Sequence, residues 1–263
     1  MPSVENQHRP TWLPKELYPF ESRHLRVGEA VVHYVDEGSG PTLLLLHGNP
    51  TWSFIYREII KGLRRDFRCV ALDYPGFGLS VPPPGYGFTP AEHADVVQRF
   101  VQLLDLTAVT MMVQDWGGPI GFAVATREPN RFARFVIGNT WAWPKNDMRT
   151  QVFSRLLGGP LGGYLILRHN VFVERIIPGA VRARLTQQVM DAYRGPFPTP
   201  ESRRPMQVFP ARSLAAERSW RKPLRDCRWL ATVRHCCAGG RRTSRSTMLS
   251  ANAGRDCFLA TAA

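Results

Sequence analysis

Ala108-Val109-Thr110-Met111-Met112-Val113-Gln114-Asp115-Trp116-Gly117-Gly118-Pro119-Ile120-Gly121 is a short apolar run that stops at Gln114-Asp115-Trp116, after which two glycines open the helical pattern of Pro119 to Arg127. The pattern predicts a strand, a tight turn and a helix. A residue at such a turn stands at the carboxyl edge of a parallel sheet with its side chain exposed, and the helix behind it aims backbone N–H groups at whatever reacts there. That residue is Asp115. Two readings fit it: an N-cap of the following helix, for which Asp is favoured, or a nucleophile, since a carboxylate attacking carbon leaves an ester on the enzyme. The window alone does not separate them.

The flanking sequence repeats the alternation of strand and helix. Arg26 to Gly38 alternates apolar and polar residues around Gly28-Glu29, the pattern of one or two antiparallel edge strands. Thr42 to Leu46 and Phe67 to Leu72 are continuous apolar runs, hence buried strands, and Ser53 to Leu63 between them has helical spacing. Asp73 to Ser80, with Pro82 to Pro84 behind it, is a rigid turn-rich loop. Thr89 is a plausible cap, with Pro90 at the first helical position, for an amphipathic helix running to Leu104. Arg131 to Asn139 is the next strand. Short connections between such elements predict an α/β fold, a mostly parallel sheet flanked by helices, with its chemistry outside the carboxyl ends of the strands. Three ends coincide there: His47-Gly48-Asn49-Pro50, Gln114-Asp115-Trp116 and Gly138-Asn139-Thr140-Trp141. From Trp141 to about Pro205 helical stretches take over, broken at Gly158-Gly159-Pro160 and Pro178-Gly179, as in an inserted helical cap. Its large apolar residues Trp143, Phe153, Leu157, Leu165, Phe172 and Ile176 are expected to serve mainly in packing. The expected organisation is a core part over 1–140, a cap over 141–205 and an atypical basic tail over 206–263.

At 263 residues and 44% hydrophobic, the chain can bury one substantial core with an insertion. No run approaches 18 apolar residues, and Met1 to Phe20 is polar with prolines at Pro2, Pro10, Pro14 and Pro19. The expectation is therefore a cytoplasmic protein with neither spanning helix nor signal peptide, and no membrane partner. The net charge of +13 is unevenly spread: 13 Arg/Lys against three acids from Arg203 onward give +10, leaving +3 for the first 202 residues. Cysteine is skewed likewise, with Cys69 in the body and Cys227, Cys236, Cys237 and Cys257 in the tail. Cys236-Cys237 lacks the spacer of a zinc site, so no metal is expected. The Arg-rich tail carries no readout motif, so no specific nucleic-acid partner is expected either.

His47-Gly48-Asn49-Pro50-Thr51-Trp52-Ser53, Asp73-Tyr74-Pro75-Gly76-Phe77-Gly78-Leu79-Ser80 and Gln114-Asp115-Trp116-Gly117-Gly118 together closely resemble the haloalkane dehalogenases of the α/β-hydrolase fold, over roughly Tyr18 to Met206. The resemblance implies that Asp115 attacks a halogen-bearing carbon by in-line displacement and that Asn49 and Trp116 hold the departing halide. It also implies that the backbone N–H groups of Asn49 and Trp116 hold the ester oxygen. Substrate would be a small halogenated alkane, water the second reactant and halide a product, with no cofactor. Trp and Asn suit the halide because they offer N–H donors without a positive charge that would neutralise the attacking carboxylate. His47 takes a loop-shaping place in this family and is not expected to be the base. Asn49 also separates this reading from epoxide hydrolases, which share the elbow but usually carry Phe there.

The resemblance ends near Pro210. Ester hydrolysis needs a histidine base oriented by an acid, and the family places the histidine near the C-terminus. One branch carries the acid where this chain has Asn139, so both missing residues should lie downstream of the cap. There the chain shows no strand of ordinary length, no closing helix and no familiar histidine, His235 being followed by two cysteines. The base and acid are thus unidentified. The rise in Arg, Cys and Ser suits a shifted reading frame entered between about Met206 and Pro223, the alternative being a divergent but genuine terminus. The expected function is hydrolytic dehalogenation through an aspartyl ester, stalled or lost in this chain, the alternatives being an epoxide hydrolase-like α/β-hydrolase and a non-catalytic remnant.

Overall fold

The computed structural model describes residues 9–141, 148–212, 234–237 and 257–261. The chain enters through an antiparallel pair, β1 (Arg23–Val27) and β2 (Ala30–Glu37), turning at Gly28, whose φ of +63° suits a residue without a side chain. β3 (Thr42–Leu46) matches the apolar run of the sequence, and four of its five residues are buried. A single 3₁₀ turn, Ser53–Tyr56, leads into α1 (Arg57–Leu63), and β4 (Arg68–Leu72) follows. α2 (Pro90–Leu103) starts as expected: the Thr89 side chain accepts from the Glu92 N–H, while the Glu92 carboxylate accepts from the Thr89 N–H. β5 (Val109–Asp115), α3 (Gly117–Arg127) and β6 (Phe132–Thr140) complete the alternating part.

These strands form one sheet with β7 (Arg234–Cys237) and β8 (Cys257–Thr261), in the order β1-β2-β4-β3-β5-β6-β8-β7. The four central strands β4, β3, β5 and β6 run parallel, so β3 and β5 end side by side at the same edge. The sequence reading expects no strand of ordinary length in the tail, but the structure has β8, five residues long like β3 and β4, and the four-residue β7. Both pair antiparallel, β8 on β6 and β7 on β8. Core side chains from both faces are dense with large groups, among them Trp52, Tyr18, Tyr74, Phe54, Phe77 and Phe100.

The inserted segment is helical, as its composition implies: α4 (Met148–Gly158), α5 (Pro160–His169), a π turn over Phe172–Ile176, α6 (Ile177–Ala180) and α7 (Gln187–Arg194). Gly159 separates α4 from α5, and Pro178 lies in the first turn of α6 rather than between helices. α8 (Arg204–Arg212) packs against α4 and α5 and runs past residue 205. Of the apolar residues expected to pack here, Phe172 is buried and Leu157 and Ile176 lie against the core, whereas Phe153 is 47% exposed. Trp143 lies outside the described residues.

Candidate active site

The turn after β5 puts Asp115 at φ +52°, in the left-handed region that a non-glycine residue rarely occupies. The helix cap is taken by the next residue: Trp116 is the N-cap of α3 and makes no side-chain capping bond. Tight packing allows this geometry. A β-carbon on Gly117 would collide with the carbonyl of Leu46, and one on Gly118 with the Thr140 hydroxyl, so both glycines let α3 approach the ends of β3 and β6. The β5–β6 register slips at the same point, pairing Gln114 with Gly138 but Asp115 with Thr140. Thr140 Oγ1 donates to the Asp115 carbonyl and so ties the turn to the neighbouring strand.

Sequence reasoning places Asn49 beside Asp115, and the structure brings them together. The Asn49 backbone N–H donates to Asp115 Oδ1 at 2.8 Å, across 66 residues of sequence. Its side-chain Nδ2 donates to the Met206 carbonyl at 3.3 Å, leaving the second amide hydrogen for another acceptor. Trp116 is 5% exposed; its ring meets Trp141 edge-on with centroids 5.1 Å apart and tilts over Phe209 at 4.9 Å. Trp116 thus joins an aromatic cluster supplied by the elbow, by the residue after β6 and by α8. Burial, then the Asp115 charge, raises the Tyr56 phenol above its ordinary value, and the Tyr56 hydroxyl donates to the Leu46 carbonyl at 2.7 Å.

His47 has the loop-shaping place expected of it. It is fully buried; its Nδ1 faces the Gly48 carbonyl at 2.9 Å and its Nε2 accepts from the Tyr74 N–H at 3.1 Å. With both nitrogens committed and its pKa pushed down to about 4 by burial, the ring is a neutral strut between the two loops. Asp73 is the other strut. Its carboxylate accepts from the Ser53 and Leu79 N–H groups at 2.7 and 3.0 Å and faces His33 Nδ1 at 2.7 Å. Burial pushes its pKa up, but His33 and these donors outweigh burial and hold the carboxyl below its ordinary value.

The remaining histidines with described side chains sit elsewhere. His24 lies against His33, His93 is stacked on Phe209 and bonded to Tyr86, and His169 meets Tyr164 in the cap. His235 falls on β7, with its side chain outside the described residues; Cys236 and Cys237 on β7 and Cys257 on β8 are in the same position, and Cys227 lies outside the described residues altogether. Among the described residues no group of three metal-binding side chains is present, and no helix is long and apolar enough to cross a membrane. Sequence reasoning missed Thr140, Met206 and Phe209. Thr140 was findable, since it stands in the third strand-end motif; Met206 and Phe209 reach the site only through the placement of α8, which no local pattern encodes.

The chain matches the family model described as alpha/beta hydrolase fold over residues 41–159. It is 50% identical over 201 residues to haloalkane dehalogenase 2 of Mycobacterium tuberculosis, covering 76% of this chain and 70% of the relative. A haloalkane dehalogenase of Mesorhizobium japonicum is 38% identical over 192 residues, 69% of this chain and 61% of the relative. Among solved structures, a putative ancestral haloalkane dehalogenase superposes with TM-score 0.71 at 32% identity, covering 77% of this chain and 75% of that one. A cis-3-alkyl-4-alkyloxetan-2-one decarboxylase of Shewanella oneidensis is 33% identical over 187 residues, 69% of this chain and 59% of the relative.

Proposed function

The chain belongs to the haloalkane dehalogenase family of the α/β-hydrolase fold, hydrolases acting on carbon–halide bonds, and from that premise we propose that it opens such a bond with Asp115 and stops at the ester. The observation that carries the reading is the bond from the Asn49 N–H to Asp115 Oδ1. It seats Oδ1 on a fixed backbone donor, and the attack is assigned to the other oxygen, Oδ2. In the step, Oδ2 forms a bond to the halogen-bearing carbon, and the carbon–halogen pair departs as halide. Oδ1 becomes the ester carbonyl oxygen, already seated on the Asn49 N–H. The Trp116 indole N–H and the free hydrogen of the Asn49 amide are the donors for the departing halide, within an aromatic wall that excludes water and strengthens both.

Hydrolysis of that ester would require water deprotonated by a base, which a positioned histidine accelerates by roughly 10²–10⁴. No described histidine is assigned that role, and we read the tail as a frame-shifted replacement for the segment that supplied it. The test is intact mass and halide release after incubation with 1-bromobutane. The expected result is one halide per chain and one butyl group, both lost in Asp115→Ala. Sustained release of many halides per chain would overturn the stalled reading, and decarboxylation of a β-lactone without any butyl adduct would overturn the halide chemistry itself.

A further inference from the structure

Nine large apolar side chains are strongly exposed among the described residues, and six of them lie on α4 and α5: Met148, Val152, Phe153, Leu156, Leu161 and Tyr164. Helical spacing arranges them. Met148, Val152 and Leu156 recur at four-residue steps along α4, with Arg155 beside Leu156; on α5 the row is Leu161, Tyr164 and Arg168. The other faces of both helices pack on α8, so the two rows belong to the outer side of the cap. Met148, Leu161 and Leu156 are 79%, 68% and 62% exposed, far more than the scattered apolar residues of an ordinary surface.

The stretch of chain that carries these rows is basic on balance. Residues 148 to 186 contain six arginines and one acid, Glu174, whose carboxylate is held by Arg194 at 2.7 and 2.8 Å. That segment carries +5, so the rest of the first 202 residues carries −2. Arg155, Arg168, Arg175, Arg182 and Arg184 are exposed. A second copy would bring the same unbalanced arginines, and the tail, with 13 Arg/Lys against three acids from Arg203 onward, is of the same sign. Neither complements the face. Exposed Leu, Phe, Met and Tyr rimmed by Arg match a surface that is negative outside and apolar beneath.

We propose that the outer face of α4 and α5 docks on an anionic lipid surface, the apolar rows entering the headgroup boundary and Arg155 and Arg168 meeting lipid phosphates. This surface binding runs against the sequence expectation of no membrane partner, and it stands independently of the chemistry at Asp115. The test is co-sedimentation of the full chain with vesicles of equal parts phosphatidylglycerol and phosphatidylcholine, and with phosphatidylcholine alone. Binding to the anionic vesicles should exceed binding to the neutral ones and weaken with salt. Leu156→Ser with Leu161→Ser should lower the partition coefficient about tenfold or more, and Arg155→Gln and Arg168→Gln about fivefold each. Met148→Ser, at the most exposed position, is the variant to use should the leucine pair lower Tm. Anionic binding unchanged by the apolar substitutions would assign it to the basic tail and overturn the proposal. So would tighter capture by polyglutamate that ignores the leucines, or vesicle-free self-association abolished by them without lipid binding.

Discussion

Gly48 lies against the side chain of Asp115 so closely that a β-carbon at this position would meet the aspartate Cβ, Cγ and Oδ1 together. The absence of a side chain there lets the loop after β3 bring the Asn49 N–H to the carboxylate. Gly48→Ala should therefore displace the carboxylate while the sheet beneath still forms. A shift of about 1 Å costs roughly a hundredfold in rate, read as the rate of butyl-adduct formation by intact mass. An alanine variant that alkylates as fast as the parent would show that the contact does not set the geometry.

On the proposed reading, Trp116 supplies the halide with a donor that its shape alone cannot replace. Trp116→Phe keeps an aromatic ring against Trp141 and Phe209 but removes the N–H, so the halide would depart without that partner. Loss of one such donor costs roughly 10²–10³ in rate. The expected result is slow adduct formation, with the deficit larger for chloride than for bromide or iodide leaving groups, because the smaller anion gains more from each hydrogen bond. Equal rates for Trp and Phe would remove Trp116 from the halide cradle.

The strand and helix spacing in the sequence specified the central fold because each element is amphipathic or fully apolar over its own length. β3 and the Thr89-Pro90 helix start were legible to the residue for that reason. Asp115 was legible as standing at a turn, but it is half-buried and not exposed as expected, and its positive φ and the transfer of the cap to Trp116 depend on contacts between Gly117, Gly118 and two other strands. Phe209 and Met206 were not legible at all, since helix α8 reaches the site by packing on the cap. Phe153 looked like a packing residue because apolarity alone does not say which face of a helix meets a neighbour.

Acid should destabilise the protein through histidines buried in neutral form. Burial lowers His47 from the ordinary 6.5 to about 4, and burial followed by the nearby His47 lowers His93 to about 3. The folded chain then binds fewer protons than the unfolded chain below about pH 6.5, so stability is complete above that pH. It falls as pH drops, by about 1.4 kcal/mol per unit for each histidine, until the folded-state values are passed. Tm measured between pH 8 and 4 should decline accordingly, and His93→Phe, which keeps a ring on Phe209, should make the decline shallower. A pH-independent Tm over this range would contradict the buried neutral assignment.

The two half-reactions should be separable by the tail alone. On the proposed route, displacement by Asp115 uses the carboxylate, the Asn49 N–H and the halide donors, all within residues 49–116, whereas breaking the ester needs a base, a role given to no described histidine. Replacing the chain beyond Arg212, which keeps α8 and Phe209 in place, with the corresponding segment of the 50%-identical Mycobacterium tuberculosis relative should therefore change turnover much more than alkylation. Single-turnover alkylation by 1-bromobutane should stay within a few-fold of the parent, while halide release should rise from one equivalent to continuous production, by roughly 10²–10⁴ in the ester-breaking step. Asp115→Asn in the hybrid should abolish both. A hybrid that folds with an unchanged alkylation rate and still stops at one halide would show that the obstacle lies in the site itself and not in the tail.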